Sequence, residues 1–233
     1  MKYALVTGSS CGIGLAIAEK FLQNGCYVFI NGRGDNPQLP LPSERHHYVS
    51  ADLSTLDGVS KLAEAVLAKT QKLDYLVLNA GVTCRKTLTE IEYSDWQTVM
   101  NTNVNMPFFL IQRLWGNITD GGAVTFISSA MSLKPHAVSI PYGVSKAAVN
   151  MLAQNLVKEF SPCGIRVNVI CPGFIDTEWQ KEKPQWLREK IESKIALKRF
   201  GTPEETADLC YALTRNSYIN GAVVPMDGGY DYE

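Results

Sequence analysis

The chain has 233 residues, 45% hydrophobic and 19% charged, with a formal net charge of −1. That length can bury a sizeable core, and the balance of residue types is ordinary for a globular protein. The charge argues against nucleic acid or an anionic membrane as main partner, and the sequence reads without a basic run, an 18-residue apolar stretch or a signal peptide.

Apolar runs alternate with helical stretches along the whole chain. Strands are expected at 2–6, 26–31, 47–50, 74–78, 122–128, 165–170 and 222–225, each short and rich in Val, Ile, Leu or Phe. Helices fit at 12–24, 55–70, 94–115, 142–160 and 203–214. This alternation predicts an α/β fold: one Rossmann-type, doubly wound parallel sheet of about seven strands with helices on both faces. No linker or repeat divides the sequence, so residues 1–233 are expected to form a single domain. One crossover stands apart. Between the second and third strands, Gly34 to Ser43 holds three prolines in six residues, which excludes a helix interior there. An extended crossover is predicted, leaving that edge of the sheet thinly covered or covered by another subunit.

Six cysteines, at 11, 26, 84, 163, 171 and 210, form no CxxC pair and no zinc-spaced cluster with histidine. Reduced thiols in a cytoplasmic protein, and no metal site, are expected. Cys11 lies near a helix N-terminus, where a thiol can become reactive, but a small side chain that fits the loop is the simpler account.

The first strand runs into Thr7-Gly8-Ser9-Ser10-Cys11-Gly12-Ile13-Gly14 and then a helix. Glycines at 8, 12 and 14 permit a tight turn, close backbone approach to phosphate and close helix packing. The free N–H groups of the helix N-terminus would receive a pyrophosphate. An NAD site usually carries a carboxylate at the end of the second strand, to bond the ribose 2′-OH. Here the segment Ile30 to Gly34 has none, and Arg33 is placed to meet a 2′-phosphate instead. NADP(H) is therefore preferred to NAD(H), which is not excluded. Ser9 and Ser10 offer hydroxyl contacts.

Tyr142 and Lys146 are four residues apart on a helix, hence on one face, and Ser129 lies thirteen residues upstream at the end of an apolar strand. A phenol beside a fixed ammonium, in a chain with a dinucleotide loop, reads as proton transfer coupled to hydride transfer. A charge about 4 Å away, at an effective dielectric of about 20, favours the phenolate by about 4 kcal/mol. That is about three pKa units, which desolvation partly offsets. The expectation is a Tyr142 brought from about 10 toward neutrality by Lys146 and an oxidised nicotinamide.

These motifs, with Asn79-Ala80-Gly81, Asn103, Pro172-Gly173, Arg199 to Glu205 and the Asp227-Gly-Gly229 ending, resemble the short-chain dehydrogenase/reductase family in order and spacing. The resemblance covers nearly the whole chain. It implies a nicotinamide cofactor, a small carbonyl or alcohol substrate, and a homotetramer. It assigns the catalytic roles to Asn103, Ser129, Tyr142 and Lys146, and selects Ser129 over Ser128. By the same resemblance Asn103 holds a water that relays protons to Lys146, and Lys146 also binds the nicotinamide ribose. The cofactor would meet Gly8, Ser9, Ser10, Gly12, Ile13, Gly14, Arg33, Asp52, Leu53, Asn79, Ala80, Gly81, Tyr142, Lys146, Pro172, Gly173, Ile175 and Thr177.

The resemblance makes residues 174–200 the substrate cover. Trp179 and Trp186 there would form an apolar wall or pack in the core. Leu133, His136 and Ile140 would approach the pocket, His136 more as a loop residue than as a substrate contact. The stretch Asn168 to Thr177 is most similar to 3-oxoacyl-acyl-carrier-protein reductases. Gly116 to Gly122 has no basic cluster, however, and Cys163 stands where a basic residue is common in that group. A ketone–alcohol oxidoreductase is thus the first reading and a carrier-protein reductase the second. A nucleotide-binding regulator that no longer catalyses is the reading from another class.

Overall fold

A computed structural model describes residues 1–35, 39–41, 43–135 and 139–230. Its seven strands are β1 (Tyr3–Val6), β2 (Tyr27–Gly32), β3 (His46–Ser50), β4 (Leu73–Leu78), β5 (Ile118–Ile127), β6 (Arg166–Pro172) and β7 (Val223–Met226). They form one parallel sheet in the order β3-β2-β1-β4-β5-β6-β7. The order reverses between β1 and β4, which opens a crevice at the carboxyl ends of those strands.

Alternation along the strands builds two cores. Leu5, Phe29, Leu76 and Val124 face α2 (Leu56–Leu67), α4 (Met106–Leu114) and α5 (Ile140–Phe160). Ala4, Val6, Val28, Ile30 and Val77 face α1 (Gly12–Gln23) and α8 (Pro203–Arg215). A strand covered on both faces has no polar side to show, which is why these segments read as unbroken apolar runs. Arg166, at the start of β6, is buried and donates to the carbonyls of Leu213 and Thr214, each at 2.7 Å. Its guanidinium thereby satisfies carbonyls in the last turn of α8.

Three expectations needed revision. The predicted helix 94–115 is α3 (Tyr93–Met100), a π-helical turn (Asn101–Asn105), and α4. Asn101, Thr102, Asn103 and Asn105 are weak helix formers, and Asn103 makes tertiary bonds that the wider turn permits. The strand expected at 122–128 begins at Ile118, because a pairing irregularity between Leu73 and Tyr75 lets β5 continue through Gly121-Gly122. The segment 174–200 contains two helices that were not anticipated, α6 (Glu178–Lys181) and α7 (Gln185–Ser193). Leu187, Ile191 and Ile195, spaced by four, seat it on Phe174, Phe200 and Tyr230.

The β2–β3 crossover carries no α-helix among the described residues, only a 3-10 turn at Ser43–Arg45. Leu39 and Leu41 pack on the α1 side of the sheet, so the crossover itself covers that edge. Residues 36–38 and 42, part of the predicted extended stretch, lie outside the described residues. No helix among the described residues is long and apolar enough to cross a membrane.

Candidate active site

A cleft of about 940 Å³ opens at the switch point, lined by the glycine loop, the ends of β2, β4, β5 and β6, the first turns of α5, and the 174–194 segment. The glycine loop is shaped to leave no room for side chains. Gly8 has φ +59°, and a Cβ there would lie 2.8 Å from Ala80 Cα; one on Gly14 would lie 2.3 Å from the Gly8 carbonyl. This bare backbone, ending at the N-terminus of α1, fits the pyrophosphate of a dinucleotide.

The loop is held from below. Asn31 accepts from the Gly8 N–H at 3.2 Å and donates to the carbonyls of Val49 and Ala51. Thr7 accepts from the N–H groups of Asn79 and Ala80 at 3.0 and 3.1 Å, while the Asn79 side chain donates to the carbonyls of Thr7 and Gly8. Neither Asn31 nor Thr7 was assigned a role from sequence. A buried asparagine inside an apolar strand was the available signal for Asn31.

Ser10, Gly12 and Ile13 line the cleft with Gly8 and Gly14, but Ser9 does not. Its side chain is fully buried, donating to the Val6 carbonyl at 2.5 Å and accepting from the Asn31 N–H at 3.1 Å. Arg33 is exposed at the mouth of the cleft beyond β2. Asp35 is turned aside, accepting from Ser50 at 3.0 Å, and is absent from the lining. Asp52 and Leu53 line the same end, with Asn79, Ala80 and Gly81 beside them. Pro172, Gly173, Ile175 and Thr177 form the opposite wall, and Thr177 reaches over the glycine loop: a Cβ on Gly12 would be 3.5 Å from its methyl.

Tyr142, Lys146, Ser128 and Ser129 come together at the end of β5. Ser128 is committed to the fold, donating to the Lys146 carbonyl at 3.0 Å, whereas the Ser129 hydroxyl shares a hydrogen bond with the Tyr142 phenol. Lys146 Nζ lies 5.6 Å from the centre of the Tyr142 ring and donates to the Ile127 carbonyl at 2.8 Å. Burial pushes the Tyr142 phenol up to about 12, against the pull of Ser129. Burial also brings Lys146 down to about 8. Within the polypeptide alone the phenol is thus held above its ordinary value, and the lowering expected from Lys146 with an oxidised nicotinamide concerns the cofactor complex. Desolvation is the largest influence on the phenol and outweighs the hydrogen bond from Ser129, and Lys146 is not among the groups that shift it.

Asn103, in the π-helical turn, is buried and does not line the cleft. Its amide donates to the Val82 carbonyl and the Ser145 hydroxyl, both at 2.9 Å, and accepts from the Val82 N–H at 2.8 Å. Gly81 is the junction: a Cβ there would be 3.2 Å from Asn103 Oδ1 and 3.4 Å from Lys146 Nζ.

Of the two tryptophans, Trp179 faces the site, its ring edge-on to Tyr142 at 6.4 Å between centroids. Trp186 is 64% exposed and absent from the lining, so it is neither wall nor core. Leu133 and Ile140 also miss the lining; Met131, Lys134 and Pro135 occupy that part. His136 lies outside the described residues. Among the described residues no cluster of His, Cys, Asp or Glu is suited to a metal ion.

A parallel sheet with a bare glycine loop and a phenol–amine pair at its switch point defines a nucleotide-dependent class of oxidoreductase. The chain belongs to the short chain dehydrogenase family, whose sequence profile it matches over residues 2–188, and it is an oxidoreductase acting on CH–OH groups. It is 32% identical to 3-oxoacyl-[acyl-carrier-protein] reductase FabG of Aquifex aeolicus, across 98% of this chain and 96% of that one. It is 35% identical to glucose 1-dehydrogenase 2 of Bacillus subtilis, across 98% and 94%. Among solved structures, the Pseudomonas aeruginosa RhlG/NADP active-site complex superposes with a TM-score of 0.91 at 32% identity, covering 99% of this chain and 96% of that one. A blue fluorescent protein from a metagenomic library, in complex with NADPH, gives 0.90 at 26% identity, with 98% and 97% covered.

Proposed function

We propose that this chain is an NADP(H)-preferring oxidoreductase that interconverts a ketone and a secondary alcohol, with Tyr142 as its acid/base. The observation that carries the reading is the convergence of Tyr142, Ser129 and Lys146 at one end of a cleft whose other end is the bare glycine loop. A nicotinamide cofactor, when bound, supplies or takes up the hydride. Tyr142 gives a proton to the substrate oxygen in reduction and recovers it in oxidation. Ser129 bonds that oxygen and orients it. Lys146 binds the nicotinamide ribose and, when protonated, favours the phenolate. Asn103 is a positioning residue that holds the Val82 backbone and α5 together and, through a water, relays protons to Lys146.

Gly8, Ser10, Gly12, Ile13 and Gly14 would cradle the pyrophosphate. Asp52 and Leu53 would meet adenine, and Asn79, Ala80 and Gly81 the ribose. Pro172, Gly173, Ile175 and Thr177 would flank the nicotinamide. Ser9, enclosed beneath the loop, is left out of this set. Arg33 would bind the 2′-phosphate, and NAD(H) would serve less well. The NADP and NADPH complexes of similar proteins support that preference.

The chain is proposed to work as one unit over residues 1–233, in the cytoplasm, as a tetramer. Outward apolar side chains, Phe108 on α4 with Val144 and Met151 on α5, support assembly. The test is NADPH consumption against a carbonyl panel of sugars, acyl thioesters, steroids, quinones and small diketones. Wild type should reduce at least one, and Tyr142→Phe should fail on it; equal turnover by both proteins would remove Tyr142 as the acid. The carrier-protein relatives favour a second reading, reduction of a 3-oxoacyl thioester. Equal rates on a short thioester with and without the carrier would reject specialised docking.

A further inference from the structure

Several cations line the substrate side of the cleft, Arg85, Lys134, Lys183, Lys190 and Lys194 among them, together with the carboxylates Glu178 and Glu182. Arg85 stands on the loop after Asn79-Ala80-Gly81, and Lys183 stands just beyond α6, on the segment that covers the site; both line it. Among the described residues, no side-chain hydrogen bond or ion pair engages either head group. Arg188 nearby is different. It pairs with Asp176 at 3.2 Å, donates to the Gln180 carbonyl at 3.4 Å and lies 4.5 Å over the Phe200 ring. Burial first, then the charges of Arg85 and Arg188, hold Lys183 below its ordinary value. Like charges brought together oppose folding, and a ligand anion bound between them would offset that cost.

The neighbours of Lys183 give the site an order. Trp179 faces the phenol of Tyr142. Gln180 follows it, with a side-chain amide oxygen buried on the cleft wall and without a partner. Lys183 lies three residues further, its N–H bonded to the Gln180 carbonyl at 3.1 Å. Along the chain from Trp179, the lining thus offers an aromatic face, an amide and a cation, and the loop after β4 adds Arg85.

We infer that the substrate is a small ketone or alcohol bearing an anionic head group, a carboxylate or a phosphate monoester, which Arg85 and Lys183 hold between them. The inference rests on the reading of this cleft as the carbonyl site. Gln180 serves a neutral polar group between the head group and the reacting carbon. The charged end is anchored while the carbonyl is directed at Tyr142.

The experiment uses two matched pairs: 4-oxopentanoate with its methyl ester, and dihydroxyacetone phosphate with dihydroxyacetone. kcat/KM with NADPH is measured for wild type, Arg85→Gln and Lys183→Gln. Separately, acetylation of Lys183 by N-acetoxysuccinimide is followed by mass spectrometry in the full chain with NADP bound, with and without each probe. The charged member of at least one pair should be preferred by tenfold or more. That ratio should collapse in both variants through KM, and the same anion should slow acetylation of Lys183. Preference within one pair only identifies the head group as carboxylate or phosphate. Equal use of charged and neutral members, a preference that survives both variants, or acetylation unaffected by every anion overturns the inference. Reduction of neutral probes without charge preference would leave the oxidoreductase reading standing while this one falls. Protection of Lys183 with no reduction of any probe would show an anion site without carbonyl chemistry and would overturn the inference as a statement about the substrate.

Discussion

Lys146 donates a 2.8 Å hydrogen bond to the carbonyl of Ile127, tying α5 to the strand that delivers Ser129. The amine is buried, and burial sets its protonation near pH 8. The charge that would favour the Tyr142 phenolate is therefore itself titratable in the working range.

That arrangement has a sign that can be measured. The folded protein releases the Lys146 proton near pH 8, the unfolded chain near 10.5. Its contribution to stability therefore grows as pH rises from about 8 to 10.5 and is lost as pH falls through 8. Lys146→Met should flatten this rise. Urea titrations at intervals across the window should show the wild type gaining up to about 3 kcal/mol relative to the variant. A constant difference would mean that the lysine does not titrate in the folded state.

Replacing the phenol tests the proton step. Tyr142→Phe should lower kcat by about 10²–10⁴-fold, the usual worth of a positioned acid. NADPH affinity, read by fluorescence titration, should move by less than about tenfold, the worth of about one hydrogen bond. Loss of binding in proportion to turnover would assign Tyr142 to holding the cofactor instead.

Arg33 decides between cofactors. A charge-assisted hydrogen bond to a phosphate is worth about 1.5–3 kcal/mol. Arg33→Ala should therefore shift the NADPH-to-NADH ratio of kcat/KM toward NADH by about 10–100-fold. The same ratio in both proteins would remove Arg33 from the site.

Asn103, itself buried, makes three hydrogen bonds that link the loop after β4 to α5. Asn103→Ala strands the Val82 backbone groups and should cost about 2–4 kcal/mol of unfolding free energy. Turnover should fall with it, since Gly81 abuts both this amide and the Lys146 amine. An unchanged urea midpoint with reduced kcat would assign the amide a chemical role rather than a structural one.

Much of the fold was legible because the signals are local. Buried parallel strands announce themselves as apolar runs, and α1, α5 and α8 matched their predicted spans within two residues. The π-helical turn was hidden because Asn103 gains its bonds from Val82 and Ser145, elsewhere in the chain. Helix α7 was hidden because only Leu187 and Ile191 carry its apolar spacing within the helix, too short a run among charged residues for the period to stand out.

From the sequence alone came the layered α/β architecture, the bare glycine loop, and a tyrosine and lysine on one helical face, since each depends on spacing within a few residues. Tertiary structure alone decided that Ser9 turns under the loop while Ser10 stays in the cleft, and that Trp179 rather than Trp186 meets Tyr142. It also placed Lys183 under the influence of Arg85, nearly a hundred residues away. These outcomes turn on which buried partner a side chain finds across the fold, and periodicity carries no record of that.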